Sequence, residues 1–150
     1  MRLVIQRVSC AEVKIDGALH AQIGLGLLVL LGIEENDKEE DGEWLINKMT
    51  QMRIFTDKNE LMNLSVEDIG GEILLVSQFT LFASTKKGNR PGFTRAASPD
   101  KAIKLYHYIE HRLKSQLNNR LKTGFFGAQM KISLTNDGPV TILVDSKNKE

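Results

Sequence analysis

The chain has 150 residues, of which 41% are hydrophobic and 26% charged, a composition typical of one soluble globular domain spanning residues 1–150. Its 20 Lys and Arg residues nearly balance 19 Asp and Glu residues, so the net charge of +1 gives no reason to expect a nucleic acid, a membrane surface or an acidic substrate as a partner. The single cysteine, Cys10, excludes an intramolecular disulfide framework and a Cys-rich zinc module, which favours a reducing, cytoplasmic compartment.

Neither a signal peptide nor a membrane span is predicted. Arg2 and Arg7 interrupt the apolar residues at the start of the chain, where a signal peptide would have a continuous apolar region. The longest apolar stretch, residues 23–33, is about half the ~20 residues that a membrane-spanning helix needs. We therefore interpret this stretch as a buried strand.

The first part of the chain is predicted to form antiparallel strands. The alternation near the start places Leu3, Ile5 and Arg7 on one face of a strand. Asp16-Gly17 lies between two further strand patterns and is the strongest short signal for a β-hairpin. The expected strands are residues 2–9, 11–16, 18–23 and 24–33.

An acidic segment precedes the first predicted helix. Residues 34–43 contain seven acidic residues and one lysine, and apolar residues then recur at roughly helical spacing from Trp44 to Met52. Carboxylates at the start of a helix are stabilised by the positive end of the helix dipole. We expect one helix here, entered through acidic residues.

A second apolar strand and a loop follow this helix. Turn residues at 57–60 and 70–71 flank a short segment, and residues 72–82 form a second long apolar strand. Residues 84–97 lack periodicity and contain two glycines and a proline. They are predicted to form a loop.

The last part of the chain is predicted to contain one helix and two strands. Ser-Pro-Asp at residues 98–100 starts a helix, because serine can cap free amides and proline suits the first helical position. The apolar face continues to about Leu121, and strands at 128–135 and 140–145 are joined by a turn at 136–139. The complete order, β-β-β-β-α-β-β-α-β-β, predicts an α+β domain with mainly antiparallel β-sheet layers and two principal helices.

Charge is distributed unevenly along the chain. Residues 86–131 contain eleven Lys and Arg residues and two acids, a local charge of +9, whereas the remaining residues carry nine bases and seventeen acids, a charge of −8. A basic loop followed by a basic helix face is typical of proteins that bind a phosphate backbone. A solvated helix face would show the same pattern, so charge alone leaves both interpretations open.

Two hydrolase patterns are disfavoured. His107 to His111 matches the H-x-x-E-H spacing of inverted zinc peptidases, but no further histidine follows, and only Asp137, Asp145 and Glu150 remain as carboxylate ligands. A solvated helix face explains this spacing better, and no metal site is predicted. The chain also lacks a G-x-S-x-G nucleophile elbow and a glycine-rich phosphate loop.

Two polar motifs stand beside apolar strands. Ser77-Gln78-Phe79-Thr80 ends a strand, where hydroxyl groups and free backbone N–H groups can stabilise an oxyanion or simply satisfy the strand end. Asn136-Asp137-Gly138-Pro139 places a proline at the start of the next predicted strand, the position where a strand tolerates it. Its Gly138-Pro139 bond fits either a cis peptide or an ordinary trans turn.

Together, five colinear motifs resemble those of the D-aminoacyl-tRNA deacylase family, also called the D-tyrosyl-tRNA deacylases. The motifs are Met1-Arg2 through Gln6-Arg7-Val8, Ser77-Gln78-Phe79-Thr80-Leu81, Gly88-Asn89-Arg90-Pro91, Phe126-Gly127-Ala128 through Met130, and Asn136-Asp137-Gly138-Pro139-Val140-Thr141. They occur in the family's order over essentially the whole chain. The resemblance is therefore far more specific than any single motif.

The resemblance implies a cytoplasmic, homodimeric enzyme without a cofactor. It would hydrolyse the ester between a D-amino acid, or glycine, and the ribose at the 3′ acceptor end of aminoacyl-tRNA. In the family the Gly-Pro bond is cis, and Gly138-Pro139 of one subunit would enter the other subunit's pocket and exclude L side chains. Because a hydrophobic pocket gains only about 1–3 kcal/mol per methylene, an editor that ignores the side chain must use chirality and a rigid wall.

The resemblance also assigns catalytic roles. The backbone amides of Phe79 and Thr80 would face the ester carbonyl, and Ser77 and Gln78 would shape the pocket and contact the 3′-adenosine. Thr80 would either attack the ester directly or orient groups while the substrate's own 2′-OH assists an activated water. The absence of a nearby base that would activate threonine favours the second role.

Further roles concern the Gly-Pro turn and the RNA. Arg7 would brace the Gly138-Pro139 turn, and Met130 would pack under it. The basic loop directly after the catalytic strand would approach the tRNA, whose single-stranded end offers phosphates and 2′-OH groups. The expected tRNA-binding residues are Lys86, Lys87, Arg90 and Arg95.

Overall fold

Eight strands and two helices make up the regular structure of the protein, and the computed structural model describes all residues from Met1 to Glu150. The elements are β1 (Arg2–Ile15), β2 (Ala18–Ile23), β3 (Gly26–Gly32), α1 (Glu39–Gln51), β4 (Phe55–Thr56), β5 (Met62–Leu64), β6 (Glu72–Ser77), α2 (Pro99–Leu117), β7 (Leu121–Thr123) and β8 (Met130–Asp145). Two short 3₁₀ turns lie at Phe79–Phe82 and Asn118–Arg120. The predicted α+β class with two principal helices is confirmed.

β1 is the central strand of a six-stranded sheet. β3 pairs with its first half and β2 with its second half, while β8 pairs along the other edge, and all three are antiparallel to β1. β6 lies parallel to β3, and β7 lies parallel to β6. Parallel neighbours need a crossover connection, which runs through α1 in the first case and α2 in the second. β8 pairs with no strand other than β1, so its outer edge is unpaired.

Both helices pack on one face of this sheet, where the larger apolar core lies. Ile109 and Leu113 of α2 belong to this core of 22 buried residues, together with Leu3 and Ile5 of β1. Arg7 follows at the next alternate position and is also buried, as the alternation predicts. A second cluster of seven buried residues occupies the opposite face of the sheet. Neither helix is long and apolar enough to cross a membrane.

Two pairs of predicted strands are single strands in the structure. Residues 2–9 and 11–15 form the continuous β1, because β8 pairs with both halves. The strands expected at 128–135 and 140–145 form the continuous β8, which pairs with β1 on both sides of residue 138. The prediction of a separate turn between them is therefore wrong, although the hairpin turn at Asp16-Gly17 is confirmed.

A bulge interrupts β8 at the predicted turn. Asn136 pairs with Val8 and Thr141 pairs with Gln6, so the four residues 137–140 lie opposite the single residue Arg7. A strand that carries extra residues bends locally and pushes them out of the ladder. Residues 137–140, called the 137–140 bulge below, interrupt the pairing without reversing the chain direction; residues 137–139 are exposed, whereas Val140 is buried.

The second long apolar strand is shorter than predicted. β6 ends at Ser77, and residues 79–82 form a 3₁₀ turn, called the 79–82 turn below. The Gln78 N–H donates to the Leu31 carbonyl at 2.7 Å. Gly32 provides the space beneath the turn, because a Cβ at this position would lie 2.9 Å from Cβ of Leu81 and 3.1 Å from the Gln78 carbonyl oxygen. The chain thus leaves the sheet by turning directly over β3.

α2 begins at Pro99 as predicted but ends earlier than Leu121. Asn118 has a φ of +55°, and this left-handed conformation ends the helix at Leu117. The Ser98 side chain does not cap the helix; its backbone N–H instead donates to Oε2 of Glu35 at 3.0 Å. The acidic segment before α1 therefore lies against the start of α2.

The same acidic segment contacts the start of β1. The Met1 ammonium donates to Oδ1 of Asp37 at 2.6 Å, with both groups fully buried, and to the Ser146 hydroxyl at 2.8 Å. Three acidic residues occupy the first turn of α1, as the composition predicts. The segment before α1 thus contacts both the residue that precedes β1 and the start of α2.

Candidate functional site

The 79–82 turn presents polar groups at the end of a buried strand. Residues 73–76 of β6 are buried, Ser77 and Gln78 are half-buried, and Phe79 and Thr80 are exposed. The first N–H groups of a helical turn have no partner inside the turn. The Phe79 and Thr80 amides are these first groups, so they are available to a ligand oxygen. This arrangement has the elements of an oxyanion site.

Gln78 orients the Thr80 side chain. Its Nε2 donates to Oγ1 of Thr80, which leaves the hydroxyl proton of Thr80 free to donate elsewhere. No histidine or carboxylate hydrogen-bonds to this hydroxyl. A threonine nucleophile needs an adjacent base to remove its proton. The geometry therefore suits Thr80 as an orienting group better than as a nucleophile.

An aromatic pair borders the turn, and one of its members was not expected from the sequence. The rings of Phe79 and Phe93 meet edge to face with centroids 5.1 Å apart, and both side chains are partly exposed, Phe79 by 55%. Phe93 belongs to the 84–97 loop, in which an isolated bridge joins Ser84 to Gly92. A lone aromatic residue in a polar loop was the one signal in the sequence that could have indicated it.

The predicted tRNA-binding residues fall into two groups. Lys86, Lys87 and Arg90 are exposed on the loop and take part in no ion pair. Arg95 differs, because its Nη2 bonds to Oε2 of Glu34 at 3.2 Å and its guanidinium carbon lies 5.4 Å from the centroid of the Phe82 ring. Three of the four cations are therefore fully available to an RNA phosphate.

The charge separation along the sequence is reduced in the folded protein. Arg112 of α2 pairs with Glu43 of α1 at 2.7 Å, and the Lys101 ammonium donates to the Glu35 carbonyl. Together with the contact of Arg95, these pairs bring the acidic segment 34–43 against the basic half of the chain. Part of the basic half is thus paired with the acidic segment, while Lys86, Lys87 and Arg90 stay unpaired.

The 137–140 bulge is held by Arg7. The Arg7 side chain donates from Nε to the Asp137 carbonyl at 3.0 Å and from Nη1 to the Ile54 carbonyl at 2.6 Å. Gly138 has a φ of +129°, the Gly138-Pro139 peptide bond is cis, and a Cβ on Gly138 would lie 2.7 Å from Nη2 of Arg7. A side chain at position 138 would therefore disturb both the backbone and the guanidinium.

Met130 does not pack under the Gly138-Pro139 turn of its own chain. Met130 pairs with Ile15 of β1, whereas Asn136 pairs with Val8. Seven residues of β1 separate these positions, a distance of roughly 23 Å along a strand. Met130 instead lies near Gly124 and Val76, beside the last residues of β6. The expected contact with the turn is wrong within one chain, because β8 is one extended strand.

The 79–82 turn and the 137–140 bulge also lie apart within one chain. Arg2 contacts the Leu81 carbonyl, and Arg7 contacts the Asp137 carbonyl. Five residues of β1 separate the two arginines, roughly 17 Å along the strand, and their odd spacing directs them to opposite faces of the sheet. The two motifs that the resemblance assigns to one pocket therefore do not share a pocket in a single chain.

The residues of the H-x-x-E-H pattern contact each other on the exposed side of α2. Nδ1 of His107 lies 3.0 Å from Oε2 of Glu110. Nowhere in the protein do three His, Cys, Asp or Glu side chains cluster in a way that could hold a metal ion. A groove of about 960 Å³ between β2 and β7 is lined by His20, Glu72 and Lys122 and contains no residue of the predicted site.

The fold and the exposed turn agree with a family comparison. A sequence model described as D-Tyr-tRNA(Tyr) deacylase matches residues 4–145, and the chain belongs to this family. Among its relatives, the D-aminoacyl-tRNA deacylases of Flavobacterium psychrophilum and Parabacteroides distasonis are each 58% identical over 150 residues, which is 100% of both chains. The resemblance inferred from the five motifs is confirmed.

Two solved structures share the fold. One, named "c-Myc DNA Unwinding Element Binding Protein", is 38% identical with a TM-score of 0.92 and covers 97% of this chain and 98% of its own. The other, named "Structural Analysis of a probable eukaryotic D-amino acid tRNA deacylase", is 18% identical with a TM-score of 0.82 and covers 95% of this chain and 97% of its own. The second similarity concerns the fold alone.

Proposed function

We propose that this protein hydrolyses the ester bond of D-aminoacyl-tRNA, so that water adds to the carbonyl, the ribose oxygen leaves with a proton, and free D-amino acid and tRNA are released. The observation that carries this proposal is the exposed 79–82 turn at the end of β6, with two backbone N–H groups free for the ester oxygen. Whole-chain relatives that are named D-aminoacyl-tRNA deacylases support it. Its biological role is chirality proofreading in translation, which places the protein in the cytoplasm.

The chemistry requires few side chains. The Phe79 and Thr80 amides stabilise the oxyanion, and Gln78 orients the Thr80 hydroxyl within the pocket, which Ser77 completes. The substrate's 2′-OH assists the attacking water, since no protein base contacts Thr80. Preorganised backbone donors are effective here because they need no reorganisation as negative charge develops.

Chirality is read in this proposal by the 137–140 bulge of a second subunit. Gly138-Pro139 enters the partner's pocket and excludes L side chains, while a D side chain points outward. Glycine has no side chain to exclude, so glycyl-tRNA(Ala) is also a substrate. The two arginines that hold the 79–82 turn and the bulge lie roughly 17 Å apart along β1 and face opposite sides of the sheet, which supports a site completed by two chains.

Two features of the surface support a homodimer. β8 has an unpaired outer edge of 16 residues, and long unpaired edges are usually covered in native proteins. Leu134 and Leu143 on this strand and Phe79 on the turn are exposed apolar side chains. A second copy packed against β8 would cover them and bring its bulge to the turn.

The 3′ acceptor end of tRNA approaches along the basic loop. Lys86, Lys87 and Arg90 carry positive charge that no acidic side chain in the protein neutralises, and they lie in the loop that also places Phe93 against Phe79. Single-stranded RNA ends are bound through phosphates and by stacking on aromatic rings. The loop therefore offers both kinds of contact beside the catalytic turn.

Release of labelled tyrosine from D-Tyr-tRNA and L-Tyr-tRNA tests the proposal. We expect rapid turnover of the D substrate and none above background for the L substrate. A nucleic-acid-binding protein without catalysis is the rival function, favoured by the name of the 38%-identical solved structure. Binding of tRNA without D-selective release by the purified protein would support that rival and contradict the deacylase proposal.

A further inference from the structure

Arg2 connects the 79–82 turn to the two terminal strands. Its Nε donates to Oδ2 of Asp145 at 2.8 Å, and its Nη1 donates to the Leu81 carbonyl at 3.1 Å. The guanidinium carbon also lies 4.8 Å from the centroid of the Phe82 ring, which is almost fully buried. One side chain from β1 therefore contacts the end of β8 and both C-terminal residues of the turn.

These contacts restrain the guanidinium in several directions. An arginine side chain presents a rigid planar fork, so two directed hydrogen bonds and a ring contact fix its orientation. Burial raises the pKa of Asp145, but the hydrogen bonds from Arg2 and from the Lys147 backbone outweigh burial and lower the pKa below its usual value. Asp145 therefore remains a charged partner that holds Arg2 in place.

The turn itself has little internal support. Its regular bonds include Leu81 N–H to the Gln78 carbonyl at 3.2 Å and Ala83 N–H to the Thr80 carbonyl at 3.0 Å. A single 3₁₀ turn is short and has poorer hydrogen-bond geometry than an α-helix. Its N-terminal amides and its C-terminal carbonyl lie within the same four residues, so a contact that holds Leu81 also restrains the direction of the Phe79 and Thr80 amides.

We propose that Arg2, held by Asp145, is a positioning residue that fixes the orientation of the 79–82 turn for catalysis. The inference rests on the proposed oxyanion role of that turn. Arg2 touches no substrate; it acts through the Leu81 carbonyl and the Phe82 ring. Small displacements of a catalytic group strongly reduce the rate, so losing this contact should affect the chemical step more than substrate binding.

Kinetics and hydrogen exchange of three variants test this role. For Arg2→Ala we expect kcat on D-Tyr-tRNA to fall about ten-fold with KM changed less than about two-fold, because the turn is misplaced while the RNA contacts remain. Arg2→Lys keeps a donor for only one of Asp145 and Leu81 and should recover kcat in part. Amide exchange of residues 79–83 should be faster in Arg2→Ala, whereas exchange in α2 should not change.

Arg112→Ala is the matched control. Arg112 also forms a charged pair, with Glu43 at 2.7 Å and 3.2 Å, but this pair joins the two helices and does not touch the turn. We expect its kcat and its exchange at residues 79–83 to equal those of the unmodified protein. Should Arg2→Ala fail to fold, Asp145→Asn is measured in its place. We then expect kcat to fall by less than in Arg2→Ala, again with little change in KM.

Two results would overturn the proposal. One is an Arg2→Ala protein with unchanged kcat and unchanged exchange at residues 79–83. The other is faster amide exchange throughout the chain in Arg2→Ala together with complete loss of kcat in Arg2→Lys. This combination would indicate general destabilisation. If the unmodified protein released no D-tyrosine, the proposed function would fail, but local exchange at residues 79–83 would still decide whether Arg2 holds the turn.

Discussion

The 79–82 turn and the 137–140 bulge are both held by an arginine of β1 that donates to a backbone carbonyl, yet the two arginines differ in burial. The Arg7 side chain is 10% exposed and bonds to two carbonyls on different segments, with its Nε also 3.6 Å from Oδ2 of Asp137, whereas the Arg2 side chain is 28% exposed and bonds to one carbonyl and to Asp145. The bulge is thus held by a buried arginine and the turn by a partly exposed one. In the proposed mechanism the bulge would exclude the wrong enantiomer and the accessible turn would admit the substrate.

The largest expected effect is the loss of kcat when the turn loses a backbone N–H, as compared with the loss of a side-chain hydroxyl. Thr80→Pro removes the Thr80 N–H, and losing one oxyanion donor should lower kcat on D-Tyr-tRNA by about 100-fold or more. Thr80→Ala is its matched control, because it removes only the hydroxyl and should retain substantial activity. An inactive Thr80→Ala protein that still folds and binds tRNA would instead support direct attack by threonine.

The next effect tests the bulge and the chain that supplies it. Gly138→Ala places a Cβ 2.7 Å from Nη2 of Arg7 and 2.8 Å from Cγ2 of Val140 at a φ of +129°, so the bulge must shift and discrimination between D- and L-Tyr-tRNA should be lost. Deacylation of both substrates measures this loss.

Mixed dimers locate the bulge. In a co-expressed pair of Gly138→Ala and Thr80→Pro chains, half of the dimers are mixed and each mixed dimer has one intact site if the bulge acts across subunits. D-selective activity should then recover to about a quarter of the unmodified value. Absence of any recovery in verified mixed dimers would contradict a site shared between chains.

The third effect concerns stability. Arg7→Ala removes a buried hydrogen bond to the Ile54 carbonyl and a part-buried one to the Asp137 carbonyl, and it leaves the buried Ile54 carbonyl without this donor, so the free energy of unfolding should fall by about 2–4 kcal/mol. Arg2→Ala should lower it by less than half as much, because its contacts are nearer the surface. Denaturant titrations measure the two losses in the free energy of unfolding, and equal losses would contradict the expectation that the more buried arginine contributes more.

The smallest effect concerns RNA binding. Replacing Lys86, Lys87 and Arg90 by alanine should reduce the slope of log K against log salt for tRNA binding by about 2–3, since each lost phosphate contact removes about 0.7–1. Replacing the exposed Lys48, Lys58 and Lys149 instead should leave the slope unchanged. Equal slopes for both triple variants would show that the loop does not contact the RNA.

Much of the local structure was predictable because it depends on neighbouring residues. The Asp16-Gly17 hairpin, the acidic entry to α1, the start of α2 at Pro99 and the irregular 84–97 loop all follow from short patterns. The predicted ends of β6 and α2 were wrong because each depends on a local backbone conformation, at Gln78 and Asn118, that apolar periodicity does not report.

The sequence by itself determined the fold class, the family and the residues of the polar motifs, because these are written in local patterns and colinear order. Only the tertiary structure decided that residues 130–145 form one strand, that the acidic segment lies against α2, and that Arg2 joins the turn to Asp145. The tertiary structure also places the 79–82 turn beside Arg2 and the 137–140 bulge beside Arg7, five residues apart on β1. Such relations depend on contacts between residues far apart in the chain, and the packing of the sheet sets them.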